Sequence, residues 1–184
     1  MVDFTVDGTS IRFETRPDLF SPKGLDKGTE LLLQAISKLN YDSALDWGCG
    51  WGAMALWLAA RQPKAQVYAL DSDMSAVKAI QGNLSLNTIQ NLEIIPSAGY
   101  EEFPESLHLD LIVSHPPTHR GRVVVESMIE ESKVRLNPGG KLVIVVESRL
   151  KPWVKRALTD VFGDCETLLH THKHVVMSAT LAES

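Results

Sequence analysis

The sequence predicts an α/β fold: a mostly parallel sheet covered by helices on both faces, preceded by a small N-terminal hairpin. Three observations predict it. From Ser43 onward, short β-rich runs alternate with segments of helical periodicity, the pattern of a parallel sheet whose crossovers are helices. A glycine-rich loop, LDWGCGWGAMA, joins the first of those runs to a helix. Near the start, Asp7-Gly8 separates two alternating runs, Phe4 and Val6 before it and Ile11 and Phe13 after it, which is a strong hairpin signal.

The elements follow in order. After the loop TRPDLFSPKGL, Asp26 is placed to cap a helix whose Leu31, Leu32, Ala35, Ile36 and Leu39 recur at helical spacing. SALDW, QVYALD, LEIIP, LDLIVS and KLVIVVE read as strands. Asp73 is the expected cap of the helix MSAVKAIQGNLSLN, in which Val77, Ile80 and Leu84 share a face. Val125, Met128, Ile129 and Leu136 form the same kind of stripe on the next long helix, which NPGG at 137–140 ends. Pro152 suits the first turn of a helix starting near Lys151, and CETLLHT with HKHVVMSATL reads as two closing strands. No boundary interrupts the chain, so residues 1–184 are expected to form one domain.

Composition narrows the classes. A chain of 184 residues, 44% hydrophobic and 22% charged, is long enough for a sizeable core and is neither disordered nor fibrous. No apolar run approaches the roughly 18 residues of a membrane span, and MVDFTVDGTS lacks a signal core, so a cytoplasmic protein with no membrane partner is expected. Cys49 and Cys165 stand alone and far apart, which suggests free thiols and neither a zinc framework nor a disulfide scaffold. A net charge of −5 argues against non-specific coating of nucleic acid, while a local basic rim for a structured RNA stays open. Nothing in the sequence bears on the number of subunits.

The glycine loop carries the first chemical signal. Gly48, Gly50 and Gly52 let the chain turn sharply and bring backbone N–H groups against a ligand, with a helix N-terminus behind them. Asp71 ends the next strand, where a carboxylate can accept both hydrogen bonds of a ribose diol. Read loosely, Gly48-x-Gly50-x-x-Ala53 with Asp71 about 20 residues on also satisfies the dinucleotide fingerprint, so the loop alone does not choose a cofactor. Three features tilt it to S-adenosylmethionine: the acid Asp46 before the glycines, a third glycine at 52 and the absence of a second catalytic domain. Asp46 either orients the loop or receives the methionyl ammonium.

The second signal is the proline loop. Pro116 and Pro117 remove two donors and fix two φ angles, giving a stiff segment after a buried strand. Arg120 and Arg122 lie just beyond it, either as phosphate ligands or as solvated surface, and Lys151, Lys155 and Arg156 carry the same ambiguity. His170, His172 and His174 alternate, but a turn near Lys173 would separate them, and no metal is expected.

The segments FETRPDLFSPKGLDKGTELLL, LDWGCGWG, VYALDSD and DLIVSHPPTHRG resemble the small-domain methyltransferase family that includes the ribosomal RNA guanine-N2 methyltransferases, over nearly the whole chain. The resemblance implies a Rossmann-like seven-stranded sheet with the last strand antiparallel. It implies S-adenosyl-L-methionine as cofactor, held by Asp46, Gly48, Cys49, Gly50, Gly52, Asp71, Ser72, Ser97, Ala98 and Ser114. Phe20, Gly24, Leu25, Asp26, Gly28 and Thr29, within and just after the covering segment of residues 1–25, would close over it. Ser114, His115, Pro116 and Pro117 would present the acceptor, with Thr118, His119, Arg120 and Arg122 toward the substrate.

Two departures stand out. The family usually carries Asn-Pro-Pro-Phe or Asn-Pro-Pro-Tyr, in which carbonyls accept the hydrogens of an exocyclic amine and the ring stacks on the base. This chain has His115-Pro116-Pro117-Thr118. A neutral imidazole can accept a proton or hydrogen bond in place of asparagine, whereas threonine cannot stack; His119, Trp47 and Trp51 are the flat faces available. After the third core strand, Ser97 and Ala98 stand where many methyltransferases grip adenine with Asp or Asn, and Tyr100 belongs either near the adenine or in the core. The expected function is methylation of an RNA base amine such as guanine N2 in ribosomal RNA. The alternatives are a small-molecule or protein substrate, or a non-catalytic RNA-binding or assembly module that keeps the fold.

Overall fold

In the computed structural model, residues 1–14 and 24–183 are described. Strands β1 (Val2–Val6) and β2 (Thr9–Phe13) pair antiparallel. Asp7 and Gly8 between them both have positive φ, 46° and 78°, as a two-residue turn matched to strand twist requires. Then follow α1 (Lys27–Ile36), β3 (Ser43–Trp47), α2 (Ala53–Arg61), β4 (Gln66–Asp71), α3 (Met74–Ser85) and β5 (Leu92–Pro96). The second half comprises β6 (Leu109–Ser114), α4 (Arg122–Arg135), β7 (Leu136–Glu147), α5 (Lys151–Phe162), β8 (Glu166–His170) and β9 (His174–Thr180).

Seven strands form one sheet in the order β5-β4-β3-β6-β7-β9-β8. Every pairing is parallel except those of β9, so the last strand alone runs against the rest, as the resemblance implies. From β3 the chain first builds outward through β4 and β5, then returns to the other side of β3 with β6. The carboxyl ends of β3, β4 and β6 therefore surround a topological switch point, where the loops diverge and leave a crevice.

Alternation along the strands divides the core. Leu45 and Trp47 join Ile112, Ile144 and Val146 on the face covered by α4 and α5. Ala44, Leu111, Val113, Val143 and Val145 look to the other face, where Leu32, Leu33 and Ile36 of α1 and the wholly buried Trp57 of α2 pack. Asp26 and Asp73 cap α1 and α3 as expected, accepting from the amides of Thr29 and Ser75. Leu136 is a correction: α4 ends at Arg135, and Leu136 opens β7 beside Leu109. It fills the same apolar cluster as Val125, Met128 and Ile129 from the sheet side, which is why its spacing mimics a helical stripe.

The hairpin is latched to α3 by side-chain amides. Arg12 N–H donates to Asn87 Oδ1 at 3.0 Å and the Arg12 carbonyl accepts from Asn87 Nδ2 at 2.7 Å. Glu14 N–H donates to Asn83 Oδ1 at 2.7 Å, and its carbonyl accepts from Asn83 Nδ2 at 3.2 Å. Four residues along a helix advance about 6 Å and two along a strand about 6.7 Å, so two asparagines one turn apart can stand in for a neighbouring strand. Asn83 is buried, and its Nδ2 also donates to the Trp51 carbonyl of the glycine loop at 3.0 Å. Trp57 Nε1 donates to the Val6 carbonyl, fixing the hairpin from below. Among the described residues, no helix is long and apolar enough to cross a membrane.

Candidate functional site

A cavity of about 510 Å³ opens at the switch point. Its walls are the loop after β3, the end of β4 with Asp71, Ser72 and Asp73, the turn after β5 with Ser97 and Ala98, and the proline loop after β6. Leu25, Asp26 and Thr29 close one side, and Glu147 and His174 complete the rim.

The glycine loop contributes room more than donors. Gly48 N–H and Cys49 N–H both donate to the Leu70 carbonyl, Gly52 N–H to that of Cys49, and Gly50 N–H to Asp71 Oδ2 at 2.9 Å. The expectation of bare N–H groups facing a ligand therefore fails at these four positions, because the tight turn uses them itself. Cβ atoms at Gly48 and Gly50 would meet no protein atom within 4 Å. A ligand lying along the loop can approach the backbone closely there. Gly52 is different: its φ is 96°, and a Cβ would fall 2.5 Å from Cγ1 of Ile80, so it serves the packing of loop on helix. It does not line the cavity.

Asp46 shares the strand parity of Ala44 and points to the α2 face, away from the cavity. One carboxylate oxygen accepts from Ala55 N–H at 2.9 Å, and Oδ1 finds no partner among the described residues. Complete burial pushes its carboxyl up to about 8, against the pull of the Ala55 amide. Of the two roles weighed for it, orienting the loop is the one its position supports. Asp71 is ordered by Gly50 N–H and by Asp73 N–H, each at 2.9 Å. With up to four acceptor sites on a carboxylate, both oxygens keep a lone pair for a further partner.

Around the adenine expectation, Ser97 and Ala98 do line the cavity. The Ser97 hydroxyl donates to Glu101 Oε2 at 3.2 Å, and Gly99 N–H donates to the same oxygen. Trp47 Nε1 points to the Ala98 carbonyl at 3.4 Å. Tyr100 is core, packed edge-on to Trp47 and Phe103, and is not part of the wall.

The proline loop meets the start of α1. Asp26 Oδ2 lies 3.2 Å from His115 Nδ1, and Thr29 Oγ1 lies 3.2 Å from the same nitrogen. Asp26 Oδ2 also accepts from Thr29 N–H at 2.9 Å. Burial works to raise the Asp26 carboxyl, but His115 and the Thr29 amide together hold it at about 2. The ring of His174 stands edge-on to that of His115, with centroids 6.3 Å apart. Gly28 is the floor beneath them: a Cβ there would lie 3.0 Å from Asp26 Oδ2, from His115 Cε1 and from His174 Cδ2. Across the β7–β9 register Glu147 pairs with His174, and the Glu147 carboxyl is held low, first by its bond to Arg149 and also by the two imidazoles.

The remaining expected residues divide. Cys49, Pro116, Pro117, Thr118, His119 and Arg120 line the cavity, as do Trp47 and Trp51; one face of Trp51 is stacked on Phe13 at 4.0 Å. Gly24 does not line it, and Phe20 lies outside the described residues. Ser114 is buried with its hydroxyl donating to the Trp47 carbonyl at 2.8 Å, a bond between adjacent strands outside the cavity. Arg122 is also outside, its guanidinium set 5.2 Å over the Trp153 ring. His174 and Glu147 are charged or titratable wall residues that sequence reasoning did not place there, and Met54, Ala76, Val124, Met128 and Val146 add apolar wall that it did not foresee. The turn at 171–174, where Thr171 N–H donates to the His174 carbonyl, separates His174 from His172 and His170, and among the described residues no group of three metal-binding side chains forms.

A family model for the methyltransferase small domain matches residues 10–178. The chain is 32% identical to ribosomal RNA small subunit methyltransferase C of Cronobacter sakazakii, over 99% of this chain and 52% of that protein. It is 30% identical to ribosomal RNA large subunit methyltransferase G of Shewanella amazonensis, over 88% and 43%. The structure superimposes with a TM-score of 0.87 and 27% identity on a T. thermophilus 16S rRNA N2 methyltransferase solved with AdoMet and guanosine, covering 97% of this chain and 49% of that one. The chain thus spans about half the length of the curated relatives it matches.

Proposed function

The chain belongs to the methyltransferase small-domain family, and from that premise we propose that it transfers a methyl group from S-adenosyl-L-methionine to a base amine of ribosomal RNA, guanine N2 foremost. The observation that carries the reading is the convergence on one cavity of open space over Gly48 and Gly50, the Asp71 carboxylate and the stiff His115-Pro116-Pro117 loop. At about 510 Å³ the cavity is of the size that takes a nucleoside-like ligand, within the roughly 300–1,000 Å³ of small-molecule pockets.

The residues fit such a cofactor. The bare Gly48–Gly50 backbone leaves a cradle that side chains would fill, and the remaining lone pairs of Asp71 suit a ribose diol. Ser72, Ser97, Ala98 and the indole of Trp47 form the wall on which an adenine would lie, and Leu25 with Thr29 would cover the opposite side. When bound, S-adenosylmethionine supplies an electrophilic methyl on a sulfonium. The chain's own work is to hold the acceptor at that methyl: His115 accepts from it, and the Pro116–Pro117 backbone fixes its approach, a contribution of positioning and electrostatics. His119 and Arg120 are exposed at the mouth, where a guanidinium can meet an RNA phosphate and an imidazole can lie against a base. A ribosomal RNA substrate assigns the protein to the cytoplasm.

The test is incubation of the purified protein with methyl-labelled S-adenosylmethionine and, separately, ribosomal subunits, naked RNA, DNA and a protein extract, with cofactor affinity measured in the same preparation. The expected result is label in an RNA fraction that Asp71→Ala abolishes. Label in the protein or DNA fraction alone would overturn the RNA assignment. Failure to bind the cofactor would overturn the whole reading.

A further inference from the structure

We propose that His115 takes up the proton that the acceptor nitrogen sheds on methylation, and that Asp26, the cap of α1, is the residue that positions its ring for this. The inference rests on the methyltransferase reading above and deepens it. It assigns the acceptor to the class of nucleobase N–H groups that are deprotonated by a side-chain base.

The argument begins with what surrounds the imidazole. His115 Nδ1 lies 3.2 Å from Asp26 Oδ2, and the same carboxylate oxygen is fixed by the Thr29 amide at 2.9 Å. Asp26 is ionised at neutral pH, so the carboxylate accepts from Nδ1–H and selects that tautomer. Proton exchange with an acceptor then falls to Nε2, on a ring that lines the cavity. A base whose second nitrogen is held by a carboxylate, here a half-buried one, follows the general logic of His–Asp pairs, in which the carboxylate sets tautomer and orientation.

Among the described residues, Asp26 from α1, Glu147 from β7 and His174 from β9 share the cavity wall with His115, as do His119 and Arg120 of its own loop, and Arg149 is turned to Glu147. Gly28 leaves room for the cluster, since a Cβ at that position would lie only 3.0 Å from both rings and from the carboxylate. An asparagine at position 115 could accept hydrogen bonds but could not carry a proton away. In the step itself the acceptor's lone pair forms the new N–C bond, the C–S bond breaks with its electron pair left on sulfur, and the proton passes to Nε2. Solvent at the cavity mouth then takes the proton from the imidazolium.

The experiment compares the parent with Asp26→Asn, His115→Asn and His115→Gln. Nitrogen-15 spectra of the imidazoles in the cofactor-free protein should report the Nδ1–H tautomer of His115 in the parent, and a mixture or the other tautomer in Asp26→Asn. Across pH 5 to 9, kcat/KM of the parent on the labelled RNA fraction should fall on the acid side. That limb should vanish in His115→Asn with kcat lower by roughly 10²–10⁴-fold, the range of a lost general base, while cofactor affinity stays within about threefold. Asp26→Asn should lower kcat with little change in KM. A His115→Asn variant as active as the parent, with the same pH profile, overturns the base assignment. A tautomer unmoved by Asp26→Asn overturns the positioning role. A parent that binds cofactor and labels no fraction overturns the preceding reading and this one with it, a result distinct from either of the others.

Discussion

Alanine at Gly52 and alanine at Gly50 should separate stability from binding. Both glycines have positive φ, 96° and 54°, so either substitution places an L side chain in the left-handed region at about 1–2 kcal/mol. At Gly50 little else happens to the fold, because the new methyl meets no protein atom within 4 Å and projects into open space. At Gly52 the methyl would sit 2.5 Å and 2.7 Å from two carbons of Ile80, which is itself completely buried and has nowhere to go. Overpacking of that kind adds about 1–3 kcal/mol, for a total of roughly 2–5 kcal/mol. With a urea m-value of about 2 kcal/mol per M, the midpoint of Gly52→Ala should fall by roughly 1–2.5 M and that of Gly50→Ala by roughly 0.5–1 M. Calorimetric titration of S-adenosylmethionine supplies the second axis: Gly50→Ala should lose at least about tenfold in affinity, or 1.4 kcal/mol, while remaining folded. A Gly52→Ala midpoint no lower than that of Gly50→Ala would refute the collision with Ile80. Undiminished affinity in Gly50→Ala would refute the cradle.

Two further outcomes follow from buried polar groups. Burial raises the Asp46 carboxyl from 3.8 to about 8, so its stabilising contribution is complete below about pH 4 and is lost as pH rises toward 8. Between pH 5 and 8 the parent should therefore lose stability relative to Asp46→Asn by up to about 1.4 kcal/mol per pH unit, and parallel urea midpoints over that range would sink the idea. Asn83→Ala removes three hydrogen bonds and leaves the Glu14 and Trp51 carbonyls without that partner. It should destabilise by about 2–4 kcal/mol and raise the dissociation constant for S-adenosylmethionine, because the glycine loop loses a support; a change in neither would mean the latch is dispensable.

Much of the frame was legible because local pattern and burial agree. The strands SALDW, QVYALD, LEIIP and LDLIVS have the boundaries their apolar runs suggest; β3, β4 and β6 are central, with both faces covered, and β5 keeps its pattern at the sheet edge by pairing with β4. Leu136 misled because residues at 125, 129 and 136 fall on one helical face whether the last of them is helix or strand. The glycine and proline loops could be placed beside each other once β3 and β6 were taken as neighbours. The direction of Asp46 was readable too, from its parity with the buried Ala44, but its charge drew attention to ligands first. Contacts between Asp26 and His115 left no trace in sequence, because they join residues far apart in the chain whose approach depends on where α1 crosses the sheet. His174 was weighed as a metal ligand from alternation alone; the turn that precedes β9 and the pairing with Glu147 turn it to the cavity instead.

The asparagine latch between α3 and the hairpin makes two distant events interchangeable. Asn83 grips Glu14, the residue just after β2, and the Trp51 carbonyl with the same amide group, so the N-terminal arm and the glycine loop share one anchor. Whatever stiffens the loop holds the anchor still, and whatever undocks the arm loosens the loop. By reciprocity, a ligand that suppresses undocking by some factor is itself held more tightly by that factor when the arm is docked. The amide protons of Arg12 and Glu14, neither of which lines the cavity, thus become gauges of its occupancy.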